Sequence, residues 1–222
     1  LLATTRRFFD ARGFIEVQTP VLSRDTVVDR HLDPFSFSHR GRVWYLQTSP
    51  EFHMKRLLAE GAEAIYQIAP VFRQDERGPL HNPEFTMVEW YRVGDGYAEG
   101  KALLGELAEV LLGRGEAQWL SYTEAFERFA NVHPLSAPVE ELAAVARQRL
   151  ADAPELDCDD RDGWLDLLLC ACIQPHLGLE KPLILFDYPA SQSALANIRE
   201  DAYPVAQRFE LYVDGVELAN GY

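Results

Sequence analysis

The stretch Glu84-Phe-Thr-Met-Val-Glu89-Trp-Tyr-Arg92 decides how the chain is read. Side chains alternate across a strand, so Phe85, Met87, Glu89 and Tyr91 share one face and Thr86, Val88 and Trp90 the other. The second set reads as an ordinary core face. The first places a carboxylate and a phenol among apolar neighbours, where a buried charge needs a partner; a solvent-facing glutamate on a half-exposed strand would account for Glu89 taken alone. Residues 64–73 carry the same alternation, and Ala69, Val71 and Arg73 bring Arg73 to the mouth of one hairpin. Arg77 and His81 lie on the polar loop 74–83 that joins the strands. Such a group is a cationic cradle suited to polyphosphate, because guanidinium forks onto phosphate oxygens. Phe85 at its base can serve as an apolar shelf for a purine ring.

Working outward, residues 2–12 read as a short amphipathic helix with Phe8 and Phe9 inward, closed by Gly13 as C-cap. Residues 14–17 read as a strand that stops before Thr19-Pro20. Ser49-Pro50-Glu51 has the form of a helix start, with Ser as N-cap, Pro first in the helix and an acid in the first turn. That helix carries Met54, Leu57 and Leu58 and ends at Gly61. Further helices are expected at about 99–112 and 164–173, and a strand at 182–186. Ser121-Tyr-Thr-Glu124 is a capping-box pattern, and the Pro- and Asp-rich sequence after it marks about 121–163 as a surface insertion. Few strands are joined by regularly spaced crossover helices, which favours an α+β fold, an antiparallel sheet flanked by helices, in one domain over 1–222.

Near the end, Asp214-Gly215 is a two-residue turn signal. It sets Val213 opposite Val216 and Tyr212 opposite Glu217, so Glu210 and Glu217 share a face as diagonal neighbours about 7–8 Å apart. Like charges so placed repel unless a cation sits between them. Mg2+ bridging ATP phosphates suits the position, since it takes one or two carboxylates plus phosphate oxygens; two solvated acids on an exposed face are the plainer alternative. In this register Asn220 faces the other side, and sharing the site requires a bulge or bend.

The 35 acidic against 21 basic side chains give a net charge of −14. A surface that grips RNA is normally basic, because phosphate neutralisation supplies much of the affinity, so the balance argues against tRNA as a partner. No apolar run approaches the roughly 20 residues that span a bilayer, and no signal-peptide pattern opens the chain; a cytoplasmic protein with no membrane partner is expected. Cys158, Cys170 and Cys172 cannot pair completely and lack zinc-finger or redox spacing, so buried, reduced thiols are expected.

Phe72-Arg-Gln-Asp-Glu76 and His81-Asn-Pro-Glu-Phe-Thr-Met-Val-Glu-Trp-Tyr91 resemble motif 2 of class II lysyl-tRNA synthetases. Gly13-Phe-Ile-Glu-Val-Gln-Thr-Pro20 resembles their motif 1, which builds a dimer interface, and Glu210-Leu-Tyr-Val-Asp-Gly-Val-Glu-Leu-Ala-Asn-Gly-Tyr222 their acidic metal-binding strand pair. Within that superfamily, Thr48-Ser-Pro-Glu-Phe-His-Met-Lys-Arg-Leu-Leu58, Asp29-Arg-His-Leu-Asp-Pro-Phe35 and Tyr188-Pro-Ala-Ser-Gln-Ser193 are similar to the short paralogues that lysylate elongation factor P, the elongation factor P–(R)-β-lysine ligases. That family lacks an anticodon-binding domain before motif 1, and the same is expected here.

The resemblance implies the class II aminoacyl-tRNA-synthetase catalytic fold, ATP and Mg2+ as cofactors, lysine or β-lysine as substrate, and a homodimer through motif 1. It also assigns roles. Glu51 holds the substrate amino group and Asn220 its carboxylate end; Glu89 and Tyr91 meet the side-chain amine. Arg73, the catalytic residue, contacts the substrate carboxylate and α-phosphate, His81 reaches the distal phosphates, and Phe85 stacks on adenine. Glu210 and Glu217 hold magnesium. Asp75, also an ATP contact, stands where the synthetases usually have Glu, one methylene longer. The family continues past the position of Tyr222 with a further Glu and motif 3, so the gene product is expected to be longer at both ends than Leu1–Tyr222, and this chain incomplete as a catalyst.

The implied chemistry is ATP-dependent formation of an aminoacyl-adenylate, then transfer to a lysine side chain of elongation factor P. Two other readings are a lysyl-tRNA synthetase core charging tRNA and a non-catalytic paralogue acting as sensor or scaffold. The joint presence of Arg73, His81, Glu89, Glu210 and Glu217 argues against the last.

Overall fold

The computed structural model describes residues 1–27, 32–74, 76–151, 154, 156–157 and 159–222, so His31, Asp75 and Cys158 lie outside the described residues. The chain divides into two compact units, 1–94 and 95–222, where the sequence suggests one. The first contains α1 (Leu2–Asp10), β1 (Ile15–Glu16), β2 (Leu22–Ser23), β3 (Ser36–His39), β4 (Arg42–Leu46), α2 (Glu51–Ala59), β5 (Ala64–Phe72) and β6 (Glu84–Arg92).

Strands β5 and β6 pair antiparallel along their whole length, Ala64 opposite Arg92 through Phe72 opposite Glu84. Strand β1 adds parallel to β5, and β2, β4 and β3 form a separate small sheet in that order. Phe9 of α1 stacks on Tyr66 at 4.7 Å and meets Trp90 at 5.3 Å, which covers the even-numbered face of the hairpin. The odd-numbered face is covered too: Ile65, Gln67, Ala69 and Val71 are buried, while Thr86 on the even face is exposed. The face that carries Glu89 is therefore interior, and the even face is not the sole core face. Helix α1 ends at Asp10, and Gly13, at φ +78°, turns the chain into β1. Ser49 Oγ accepts the Glu51 N–H at 3.0 Å, but the helix begins at Glu51 with Pro50 as its N-cap, one residue later than the pattern predicts; of the apolar residues of α2 only Met54 is fully buried and Leu57 is exposed.

The second unit contains α3 (Tyr97–Leu112), β7 (Gln118–Ser121), α4 (Tyr122–Phe129), α5 (Val139–Arg149), α6 (Arg161–Leu168), β8 (Leu183–Pro189), β9 (Ile198–Arg199), β10 (Val205–Val213) and β11 (Val216–Gly221). Its sheet runs β11-β10-β8-β7, with β9 on β10; only the β7–β8 pairing is parallel. The capping box forms, with the Glu124 N–H on Ser121 Oγ at 3.2 Å and the Ser121 N–H on Glu124 Oε2 at 3.0 Å.

The stretch expected as a surface insertion supplies much of this unit's core. Tyr122 and Phe126 of α4, and Leu142, Ala143 and Ala146 of α5, are buried with Trp164, Leu165 and Leu168 of α6. Pro and Asp mark the connecting loops, but α5 has an apolar stripe at helical spacing that needs cover. Beyond Leu168 the helix widens to a π-turn over Leu169–Ile173. Cys170 and Cys172 are free thiols there, one exposed and one half-buried, not buried as expected. Among the described residues no helix is long and apolar enough to cross a membrane.

Candidate functional site

In the first unit the candidate site is built around Glu89. The Ser49 hydroxyl donates to Glu89 Oε2 at 2.7 Å and the Tyr91 hydroxyl to Oε1 at 2.6 Å. Burial pushes the Glu89 carboxyl above its ordinary range, and these two hydrogen bonds offset the rise in part. Strand alternation alone brings Glu89 and Tyr91 together; the turn before α2 brings Ser49. Ser49 thus serves twice, accepting the Glu51 N–H before α2 and donating to the carboxylate, and its cap-like pattern hides the second role. On α2, Glu51 is near enough for its charge to act on Glu89, and it accepts from Lys55 Nζ at 2.6 Å, one helical turn on. Lys55 also stands over the Tyr91 ring at 5.7 Å.

At the open end of the hairpin, Arg73 reaches Glu76 at 3.3 Å and the Thr48 carbonyl at 3.4 Å, both long contacts. Its guanidinium lies over the Phe85 ring at 5.1 Å. The structure therefore brings Arg73 and Phe85 together, as a cation beside an aromatic shelf. Arg77 and His81 are on the exposed loop, where the backbone of His81 closes a turn with Gly78.

In the second unit the turn Asp214-Gly215 has positive φ at both residues, 51° and 74°, the geometry of a type I′ hairpin. Gly178 packs so closely beneath the hairpin that a Cβ there would lie 2.3 Å from the Tyr212 carbonyl oxygen. Val213 faces Val216 and Tyr212 faces Glu217, as expected, but the register then shifts. Leu218 is the extra residue of a bulge, after which Leu211 pairs with Ala219 and Glu210 with Asn220. The bulge puts Asn220 on the Glu210 side, which a regular hairpin would not do.

Glu210 is 3% exposed. Both tyrosine hydroxyls, of Tyr188 and Tyr212, donate to its Oε2, and Arg208 donates to its Oε1. Burial first, then the Glu210 charge, raises both phenols, so they stay protonated as donors. Arg208 also donates to Asn220 Oδ1 at 3.0 Å and to the Gln192 carbonyl at 3.2 Å. Arg208, Glu210 and Tyr212 share a strand face at i, i+2, i+4, a signal legible in the sequence; Tyr188 comes from β8 and is not. Three hydrogen bonds leave one of the roughly four acceptor positions of the carboxylate, on Oε1, and Glu217 is exposed on the adjacent strand. Among the described residues no three His, Cys, Asp or Glu side chains gather around a metal. A pair of carboxylates nevertheless fits magnesium that takes its other ligands from phosphate and water.

The family model for tRNA synthetases class II (D, K and N) matches residues 1–222. A Histophilus somni protein named elongation factor P–(R)-β-lysine ligase is 43% identical over 231 residues, covering all of this chain and 70% of that protein. Proteins of the same name from Proteus mirabilis and Vibrio vulnificus are each 44% identical, covering all of this chain and 70% and 71% of theirs.

Proposed function

The chain belongs to the class II tRNA synthetases of the D, K and N type, and from that premise we propose that it activates lysine or (R)-β-lysine with ATP and passes it to a lysine side chain of elongation factor P. One observation carries the amino-acid class: a half-buried carboxylate, Glu89, held by Ser49 and Tyr91 on a strand face whose β5 side is buried. An alkyl ammonium is the natural guest of such a group. The acceptor follows from the relatives, whose shared name states it.

In the first step the amino-acid carboxylate attacks the α-phosphorus in line, giving an aminoacyl-adenylate and pyrophosphate; positioning and charge neutralisation do this without a protein nucleophile. Arg73 neutralises the reacting carboxylate and α-phosphate, exchanging its long contacts to Glu76 and Thr48 for phosphate oxygens. Phe85 supports the adenine, His81 meets the distal phosphates, and Glu51 takes the substrate's amino group once Lys55 yields. Asp75 contributes to the nucleotide site by resemblance alone. Glu210 and Glu217 hold magnesium, which neutralises phosphate charge when bound. Asn220, whose Oδ1 accepts from Arg208, takes the carboxylate end by resemblance alone. In the second step a lysine ε-amine attacks the adenylate to form an amide and release AMP. A homodimer through the motif 1 region, residues 13–20, belongs to this reading, and apolar Ile15 in that region is exposed; the cytoplasm is where such a translation factor would be modified. Pyrophosphate exchange into ATP by the full-length gene product should require magnesium and lysine or β-lysine; equal exchange with unrelated amino acids would sink the reading.

A further inference from the structure

Gln67 sits in the middle of β5, 3% exposed, and its side-chain oxygen Oε1 is buried without a hydrogen-bond partner among the described residues. The other members of its strand face, Ile65, Ala69 and Val71, are apolar and buried, so that row offers an amide nothing to bond. Across the ladder its register partner is Glu89. Residues directly opposite on antiparallel strands project from the same face, with Cβ atoms about 4.5–5.5 Å apart. An unmade hydrogen bond at a buried acceptor weakens the fold, and an apolar side chain of the same shape would remove the penalty. An amide kept here is explained if a ligand brings the missing donor.

The chemistry beside it says which donor. A primary ammonium has three N–H groups and no acceptor. Glu89 supplies the charge and one acceptor. The Tyr91 hydroxyl donates its own proton to Glu89. We propose that Gln67 Oε1 is a further acceptor for the side-chain ammonium of the bound amino acid, and so a specificity residue for primary amines. The proposal rests on the reading of Glu89 as the ammonium site. A neutral amide suits the place better than a second acid, because one ammonium then meets one full negative charge.

The test uses the full-length protein and three variants, Gln67→Met, Gln67→Glu and Glu89→Gln, each measured for pyrophosphate exchange and thermal melting. Methionine matches the shape of glutamine and lacks the acceptor. Its KM for lysine or β-lysine should rise about tenfold to a hundredfold, with KM for ATP and kcat near wild type and a melting temperature equal or higher. Gln67→Glu keeps an oxygen at the same reach and should retain measurable amino-acid binding, weaker than wild type but tighter than in Gln67→Met, which keeps the proposal testable if Gln67→Met fails to fold. An unchanged amino-acid KM in Gln67→Met would overturn it, as would a parallel rise in both KM values with a lower melting temperature, or loss of amino-acid binding in Gln67→Glu. Should Glu89→Gln itself leave amino-acid KM unchanged, the reading of the pocket fails; should only Gln67→Met do so, this proposal alone fails.

Discussion

Glu89 is a half-buried carboxylate held by the Ser49 and Tyr91 hydroxyls, and its protonation state decides how it meets an ammonium guest. Burial raises its pKa, so the folded chain holds that proton to a higher pH than the unfolded chain does. The sign follows: the contribution of Glu89 to stability is fullest at low pH and is lost as pH rises through its raised folded value. An ammonium guest reverses the preference, because it needs the ionised form. Amino-acid affinity should therefore fall as the pH is lowered through that raised value, while ATP affinity follows a different course. Glu89→Gln removes a charge-assisted bond worth roughly 1.5–3 kcal/mol, so lysine binding should weaken about tenfold to a hundredfold and its pH slope through this range should flatten. Calorimetric titration across that range checks both; loss of folding would mean that Glu89 is structural. Alternation in the sequence is enough to put Glu89 and Tyr91 on one face, where they hydrogen-bond. It could not find Ser49 as their partner, because the loop that carries it meets β6 only through tertiary folding.

At the scale of elements, what reads from sequence is local chemistry, and what escapes it is where an element packs. The Asp-Gly turn, the capping box at Ser121 and the two strands of the β5–β6 hairpin follow from short-range patterns. The bulge at Leu218 does not, since a register shift depends on the partner strand; only the requirement that Asn220 share a site with Glu210 hints at it. Helix α5 is the larger miss. Its loops look like surface, yet Leu142 is fully buried against α4 and α6. Leu142→Ala should cost roughly 2–5 kcal/mol by loss of burial and cavity formation, whereas a side chain on a surface insertion would cost under about 0.5 kcal/mol. Urea denaturation of wild type and variant separates the two.

For the whole molecule, the acidic balance is the feature that no single element explains, and it bears on the choice of acceptor. A net charge of −14 opposes an RNA backbone, since each phosphate contact forgone loses a counterion-release gain. A protein acceptor makes another demand. Its ε-ammonium is drawn by negative charge but must lose a proton before it can attack the adenylate, and a general base or a phosphate oxygen must accept that proton. Amide formation should therefore accelerate with rising pH until the acceptor amine or its base is deprotonated, and added salt should slow it if charge steers the encounter. The decisive comparison offers the full-length protein, ATP and radiolabelled lysine or β-lysine to elongation factor P and to total tRNA in parallel. Label is expected in the protein, and it should vanish when the acceptor lysine is replaced by arginine. Efficient charging of tRNA beside an unlabelled elongation factor would reverse the assignment and make the chain a synthetase core.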